Sequence, residues 1–93
     1  MNNFNDMLSK AKAMQDKMKE AQEKIKKIEV EGLAGGNLVK VILTGDYELK
    51  SIFISDTAKN ESQEIINDLI KAAYNNAKEN LKKKSAEELS KVT

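Results

Sequence analysis

A seven-residue repeat in the first thirty residues constrains this chain more than any other feature. With Phe4 at position a, every a and d position is apolar: Phe4, Met7, Ala11, Met14, Met18, Ala21, Ile25 and Ile28. This spacing predicts a helix with a narrow apolar seam, from about residue 3 to residue 27. At ~1.5 Å per residue the helix would be about 37 Å long. A chain of 93 residues makes a narrower domain than that, so we expect part of the helix to project or to meet a partner.

Two rows of lysines flank this seam. The g positions hold Lys10, Lys17 and Lys24, and the b positions hold Lys12, Lys19 and Lys26. In a two-stranded coiled coil the g lysines would face Leu or Gln when parallel and one another when antiparallel, so neither arrangement gives ion pairs. We therefore expect the seam to pack on the rest of the fold and the g lysines to stay unpaired. From the residues alone, the rows are either an ordinary solvated face or a surface for an anion.

An alternating pattern follows the helix and predicts three strands, at about residues 28–33, 38–44 and 47–54. The glycines at 35 and 36 predict a hairpin turn, and Gly45-Asp46 predicts another. Strands joined by tight turns form an antiparallel meander. One face of so small a sheet needs a helix to cover it, because an isolated small sheet is only marginally stable.

A second long helix is predicted at about residues 60–84, with a fraying tail at 85–93 that a capping box at Ser85 could restart as a short helix. Apolar residues cover more than half of its circumference, so it is expected to be buried on two sides, against the sheet and against another subunit. The predicted dimer-interface residues are Ile66, Ile70, Ala73, Tyr74 and Ala77. The chain is thus predicted to be one α+β domain, residues 1–93, with the order α-β-β-β-α.

The composition removes most kinds of catalytic site. The chain has no Cys and no His, so the usual nucleophile–base pairs and zinc sites cannot be built. We predict no enzyme, no cofactor, no metal and no small-molecule substrate. Glu29 with Glu31, and Asp46 with Glu48, are at most a weak divalent-ion site or an ordinary exposed sheet face. The chain starts without a signal-like segment and lacks an apolar run of membrane-spanning length, so we expect a cytoplasmic protein without membrane contact.

The charge is distributed unevenly although its total is only +1. Residues 1–27 hold seven lysines against four acidic residues, whereas residues 28–58 hold two lysines against five. All sixteen basic residues are lysines. Lysine acts as a point charge for phosphate, while bidentate recognition of guanine favours arginine. The helices are therefore the basic part of the chain.

Several stretches resemble the YbaB/EbfC nucleoid-associated protein family. They are the Met-rich opening helix with Met14-Gln15-Asp16-Lys17-Met18, the segment Gly35–Thr44 with Gly45 after it, the strand ending Ile52-Phe53-Ile54, and Asp68-Leu69-Ile70-Lys71-Ala72-Ala73-Tyr74-Asn75-Asn76-Ala77. The resemblance covers residues 4–84. It implies a bacterial, tweezer-shaped homodimer that binds DNA with little sequence preference and organises the nucleoid or modulates gene expression.

Under this reading the helix lysines would hold the phosphates. The DNA-binding candidates are Lys10, Lys12, Lys17, Lys19, Lys24, Lys26, Lys27, Lys82, Lys83 and Lys84. A competing hypothesis is a dimeric adaptor whose Met-rich helical arms grip another protein without direct DNA binding. Exposed Met7, Met14 or Met18 would favour the adaptor, because flexible Met surfaces suit protein partners. Lysines facing a gap between two arms would favour DNA.

Overall fold

A computed structural model describes residues 2–92 of the chain, with side chains from residue 3. Six elements follow one another: α1 (Asn2–Lys26), β1 (Glu29–Ala34), β2 (Val39–Thr44), β3 (Leu49–Ile54), α2 (Asp56–Lys59) and α3 (Gln63–Ser90). The predicted α+β class and the helix–three strands–helix order are confirmed. The single turn of α2 was not predicted; it is capped by the Ser55 hydroxyl, which accepts a hydrogen bond from the Ala58 amide at 3.1 Å.

The last helix differs from its predicted bounds. It begins at Gln63, after the N-cap Ser62, and continues to Ser90 instead of ending near residue 84. Residues 85–90, predicted as a tail, are therefore helical, and Ser85 lies within one continuous helix. The extension packs beside α1, since Val92 is buried and, with Glu88, lines a groove shared with Ala21 of α1. Thr93 lies outside the described residues.

The three strands form an antiparallel sheet in the order β1-β2-β3. Gly32 is opposite Val41, and Val41 is opposite Ile52, so these residues share one face, here called the inner face. A bulge between Ile42 and Leu43 shifts the register at the start of β3. The turn before β2 contains the two glycines in left-handed conformation, as the hairpin prediction required.

α3 lies on the inner face of β1 and β2. A Cβ atom on Gly32 would be 2.0 Å from the carbonyl oxygen of Ala73 and 2.5 Å from Cβ of Ala77, so only glycine permits this approach. Ala73 and Ala77 are completely buried there. Both were predicted to lie at a dimer interface; within one chain their small side chains fill the contact of α3 with its own sheet, and a contact with a second copy stays a prediction.

α1 is a projecting arm. Ala21 is its first buried side chain, and all described side chains before it are exposed. The seam therefore packs on the fold only near its end, and the rest of α1 projects from the fold, as the predicted length of the helix indicated. The reason is length: α3 ends at Ser90, beside the Lys17–Lys24 part of α1, so none of the described residues covers the earlier turns of α1. The molecule measures 72 × 16 × 16 Å.

Close backbone contact fixes the base of this arm. The Ile28 amide donates to the Ile25 carbonyl oxygen at 3.0 Å. A Cβ on Gly45, in the turn between β2 and β3, would lie 1.6 Å from the same carbonyl oxygen, so a side chain at this position would displace the helix. The arm therefore leaves the sheet in a defined direction.

Candidate nucleic-acid interface

The structure separates the lysines into two groups. Four of the sixteen form ion pairs within 4.0 Å: Lys40 with Glu31, Lys50 with Glu29, Lys59 with Asp56, and Lys91 with Glu88. These lie on the sheet, on α2 and just after α3. Within residues 3–92 the remaining twelve lysines form no such pair, and all ten predicted DNA-binding lysines are among them. Glu20 lies four residues before Lys24, and Glu23 four before Lys27, but neither pair is within salt-bridge distance among these residues.

The two lysine rows of α1 have different surroundings. Lys17 and Lys24, from the g row, line a groove of about 110 Å³ together with Glu20 of α1, Glu88 of α3 and the following Lys91. The b row is Lys12, Lys19 and Lys26, and its side chains are exposed. Residues seven apart remain on one side of a helix, so the b row is a continuous stripe along the arm. None of its three lysines lines the groove between α1 and α3.

The Lys82–Lys84 cluster does not form one patch. Successive helical residues are rotated by about 100°, so these three side chains point in different directions. Lys83 and Lys84 line a groove of about 470 Å³ in which Glu29, Glu31 and Glu87 are also present. Three carboxylates beside two ammonium groups weaken any attraction for phosphate. Only Lys82 faces away from this groove.

Two further lysines were missed. Lys71 and Lys78 are exposed and unpaired, and with Lys82 they are spaced by seven and four residues. That spacing keeps all three on one side of α3. The spacing is readable in the sequence, but the Lys82-Lys83-Lys84 run draws attention away from it because a local cluster is more conspicuous than a helical row.

Carboxylates suggested as a weak divalent-ion site have other partners. Glu29 is paired with Lys50, and Glu31 lies 3.7 Å from Lys40. Across the described residues no three carboxylates come together as metal ligands. These glutamates therefore balance the lysines of the sheet and help to confine the unpaired positive charge to the helices.

The apolar seam of the arm faces solvent. Met7 is 67% exposed, and Met14 and Met18 are exposed as well. Of the predicted interface residues, Ile66, Ile70 and Tyr74 are partly exposed on α3, and their contact with a second copy stays a prediction. No helix in residues 2–92 is both long enough and apolar enough to cross a membrane.

A helix–sheet–helix unit with unpaired lysines on its helices defines a candidate DNA-binding protein, and comparison with known proteins gives the family. The model of the YbaB/EbfC DNA-binding family matches residues 1–93, and the chain belongs to this family. A nucleoid-associated protein of Rickettsia akari is 44% identical over 91 residues, which are 97% of this chain and 85% of the relative. Nucleoid-associated proteins of Rickettsia rickettsii (strain Sheila Smith) and Rickettsia typhi are 45% and 44% identical over the same shares.

Proposed function

We propose that this chain acts as a homodimer that binds duplex DNA with little sequence specificity through lysines on its helices. In this role it organises the bacterial nucleoid or modulates gene expression, as a cytoplasmic, nucleoid-associated protein. The observation that carries the proposal is the separation of the lysines. Those of the sheet, of α2 and just after α3 are paired with carboxylates, whereas those of α1 and α3 are unpaired and exposed.

The chemistry of these side chains suits phosphate rather than base edges. An exposed ammonium group attracts the DNA backbone whatever the sequence, and binding releases condensed counterions. Arginine, the residue that most often reads guanine in the major groove, is missing from the chain. We therefore expect modest affinity, weak discrimination between sequences and a steep dependence on salt.

Fluorescence anisotropy with a labelled random duplex tests this proposal. Wild-type protein should bind at micromolar concentration, with log K falling linearly as log salt rises. A Lys12→Gln/Lys19→Gln/Lys26→Gln variant should bind at least about tenfold more weakly and show a shallower salt slope, because phosphate contacts are lost. A Lys10→Gln/Lys17→Gln/Lys24→Gln variant tests the g row in the same way.

The matched control removes the same number of charges from paired lysines. Lys40→Gln/Lys50→Gln/Lys59→Gln should keep both the affinity and the slope within about twofold, because these groups are neutralised by glutamate or aspartate. Equal weakening in the control and in the row variants would show that net charge, not the helix rows, governs binding. Absence of wild-type binding near ~50 mM salt would refute DNA binding by this chain.

The exposed methionines support a second candidate, an adaptor that holds a protein partner along α1. Flexible thioether side chains on an uncovered helix suit such a partner. A Met7→Gln/Met14→Gln/Met18→Gln variant separates the two functions. Under the DNA proposal it binds the duplex like wild type, while under the adaptor proposal the wild-type chain fails to bind DNA at all.

A further inference from the structure

Residues 3–20 of α1 form an uncovered arm. Every side chain in this stretch is exposed, whereas the next one, that of Ala21, is buried. The stretch contains no Gly and no Pro, so it is one uninterrupted helix, ~27 Å long at ~1.5 Å per residue. A helix that is exposed on all sides over this length can lie flat against an extended surface.

One side of this arm is apolar. Phe4, near the free end, is 66% exposed, and Leu8, at position e, widens the a/d seam toward the b lysines. At about 100° per residue, the apolar side chains of the arm lie within an arc of roughly 120°. They form the apolar face of the arm, which consists of Phe4, Met7, Leu8, Ala11, Met14 and Met18. Contact of this face with water is unfavourable, so it favours a partner that is itself apolar.

The charged residues of α1 are sorted by heptad position. All of its lysines belong to the g row or the b row, whereas all of its acidic residues, Asp6, Asp16, Glu20 and Glu23, are at c or f. The lysines of the arm therefore lie roughly 90–110° to either side of the middle of the apolar face, and the acidic residues about 130–170° away from it. Positive charge borders the apolar face on both sides, and negative charge is confined to the opposite side.

This order of side chains identifies the chemistry of the partner. Duplex DNA offers phosphates but leaves the apolar face in water. A bilayer with anionic lipids offers acyl chains with phosphates directly above them, over an area wider than the arm. Helices that lie in such an interface have this arrangement: an apolar side, and lysines whose stems extend from the apolar region to the headgroups.

We propose that the arm of α1 binds the surface of a membrane that contains anionic lipids. Its apolar face enters ~5–10 Å into the boundary between headgroups and acyl chains, and the lysines on both sides of this face bind lipid phosphates. The lack of a spanning segment led us to expect no membrane contact, but a helix that lies on the surface needs no such segment. The inference goes beyond DNA binding and does not depend on it.

Two tryptophan probes at neighbouring positions test the orientation of the arm, because the chain has no tryptophan. Leu8 lies on the apolar face, and Ser9, at position f, lies on the opposite side. The vesicles contain phosphatidylcholine and phosphatidylglycerol in equal amounts. Their addition should shift the fluorescence of Leu8→Trp to shorter wavelength, and brominated acyl chains should quench it, whereas the fluorescence of Ser9→Trp should barely change. Equal shifts for both probes, or a shift for neither, would overturn the proposal.

Flotation of the vesicles measures binding itself. Wild-type protein should float with the mixed vesicles and not with vesicles of phosphatidylcholine alone, because the lysines are attracted to anionic headgroups. A Met7→Gln/Met14→Gln/Met18→Gln variant should bind the mixed vesicles at least about tenfold more weakly, while it binds duplex DNA like wild type. Loss of vesicle binding alone separates insertion of the apolar face from the attraction to phosphate that lipid and DNA share.

The matched control removes three exposed apolar side chains outside α1. Leu33→Gln/Ile65→Gln/Leu89→Gln should float like wild type, and far-UV circular dichroism confirms that each variant is folded. Equal weakening in this control and in the methionine variant would show adsorption without a defined site, which would contradict the proposal. Equal flotation of wild type with both kinds of vesicle would contradict the role of the lysines. No flotation with the mixed vesicles would refute membrane binding and leave DNA binding, which is measured separately, unaffected.

Discussion

β1 and β3 are both six-residue edge strands of one sheet, and they are used in opposite ways. β1 alternates between exposed and buried residues, whereas no residue of β3 is fully buried. The cause is the width of α3, the helix that covers the sheet. A helix with its side chains is ~10 Å across, and strands are ~4.8 Å apart, so a single helix covers about two strands. α3 lies mainly over β1 and β2 and leaves most of β3 exposed.

The comparison shows how a small chain can divide its apolar residues between folding and association. Burial under α3 stabilises the single chain, and the buried residues there are small or closely packed. The exposed apolar residues of β3 contribute little to the single chain and are available for a partner. Substitutions on the two strands should therefore change different quantities, the free energy of unfolding on one side and subunit association on the other.

The largest expected effect is at Gly32. A valine side chain there would collide with the α3 backbone, because even its Cβ would be 2.0 Å from the Ala73 oxygen. We expect Gly32→Val to lower the free energy of unfolding by at least ~4 kcal/mol, measured by urea denaturation at a fixed protein concentration. Gly36→Ala is the control: a Cβ there has open space, and only its φ of 70° is unfavourable, so it should cost ~1 kcal/mol. Equal losses of unfolding free energy in the two variants would show that α3 does not pack closely on β1 at Gly32.

A smaller effect is expected for two leucines, one in the covered part of the sheet and one on β3. Leu43 and Leu49 are cross-strand partners, but Leu43 is completely buried and Leu49 is exposed. Leu43→Ala should destabilise the chain by about 3 kcal/mol, because it leaves a cavity in the core. Leu49→Ala should cost less than ~1 kcal/mol under conditions that keep the chain monomeric. Similar losses at both positions in the monomer would mean that β3 is covered within one chain.

Local periodicity predicted the elements well, because the 3.5-residue repeat of α1 and the alternation of the strands are properties of neighbouring residues. It did not predict what each face contacts. Ala73 and Ala77 allow close approach to any surface. Such small residues are therefore equally suited to packing on the chain's own sheet and to packing on another subunit. The deciding residue was Gly32, since a glycine within a strand marks a close backbone approach. The seam of α1 presents the same difficulty: its pattern requires a partner but does not identify one.

The lack of ion pairs at the helix lysines was easier to predict than the contacts between elements, and the role of these lysines in DNA binding stays a prediction. All ten lysines chosen from the sequence are unpaired within residues 3–92. Lys83 and Lys84 share a groove with β1 glutamates, which only the tertiary structure brings together. The Asn76 and Asn80 contacts with β1 span 43 and 49 residues, so they lie beyond the reach of local patterns.

The smallest expected effect is on the hydrogen exchange of single backbone amides at the two edges of the sheet. Asn76→Ala removes the acceptor of the Leu33 amide and should cost ~1 kcal/mol, which accelerates hydrogen exchange at Leu33 about fivefold. Asn76→Asp keeps an oxygen in the same place and should retain most of the protection. The Ile52 and Ile54 amides are free in one chain, so their protection should rise with protein concentration, whereas that of Leu33 should not change. Protection of Ile52 that is independent of concentration would mean that the β3 edge is closed without a partner, and the contrast between the two edges would then be lost.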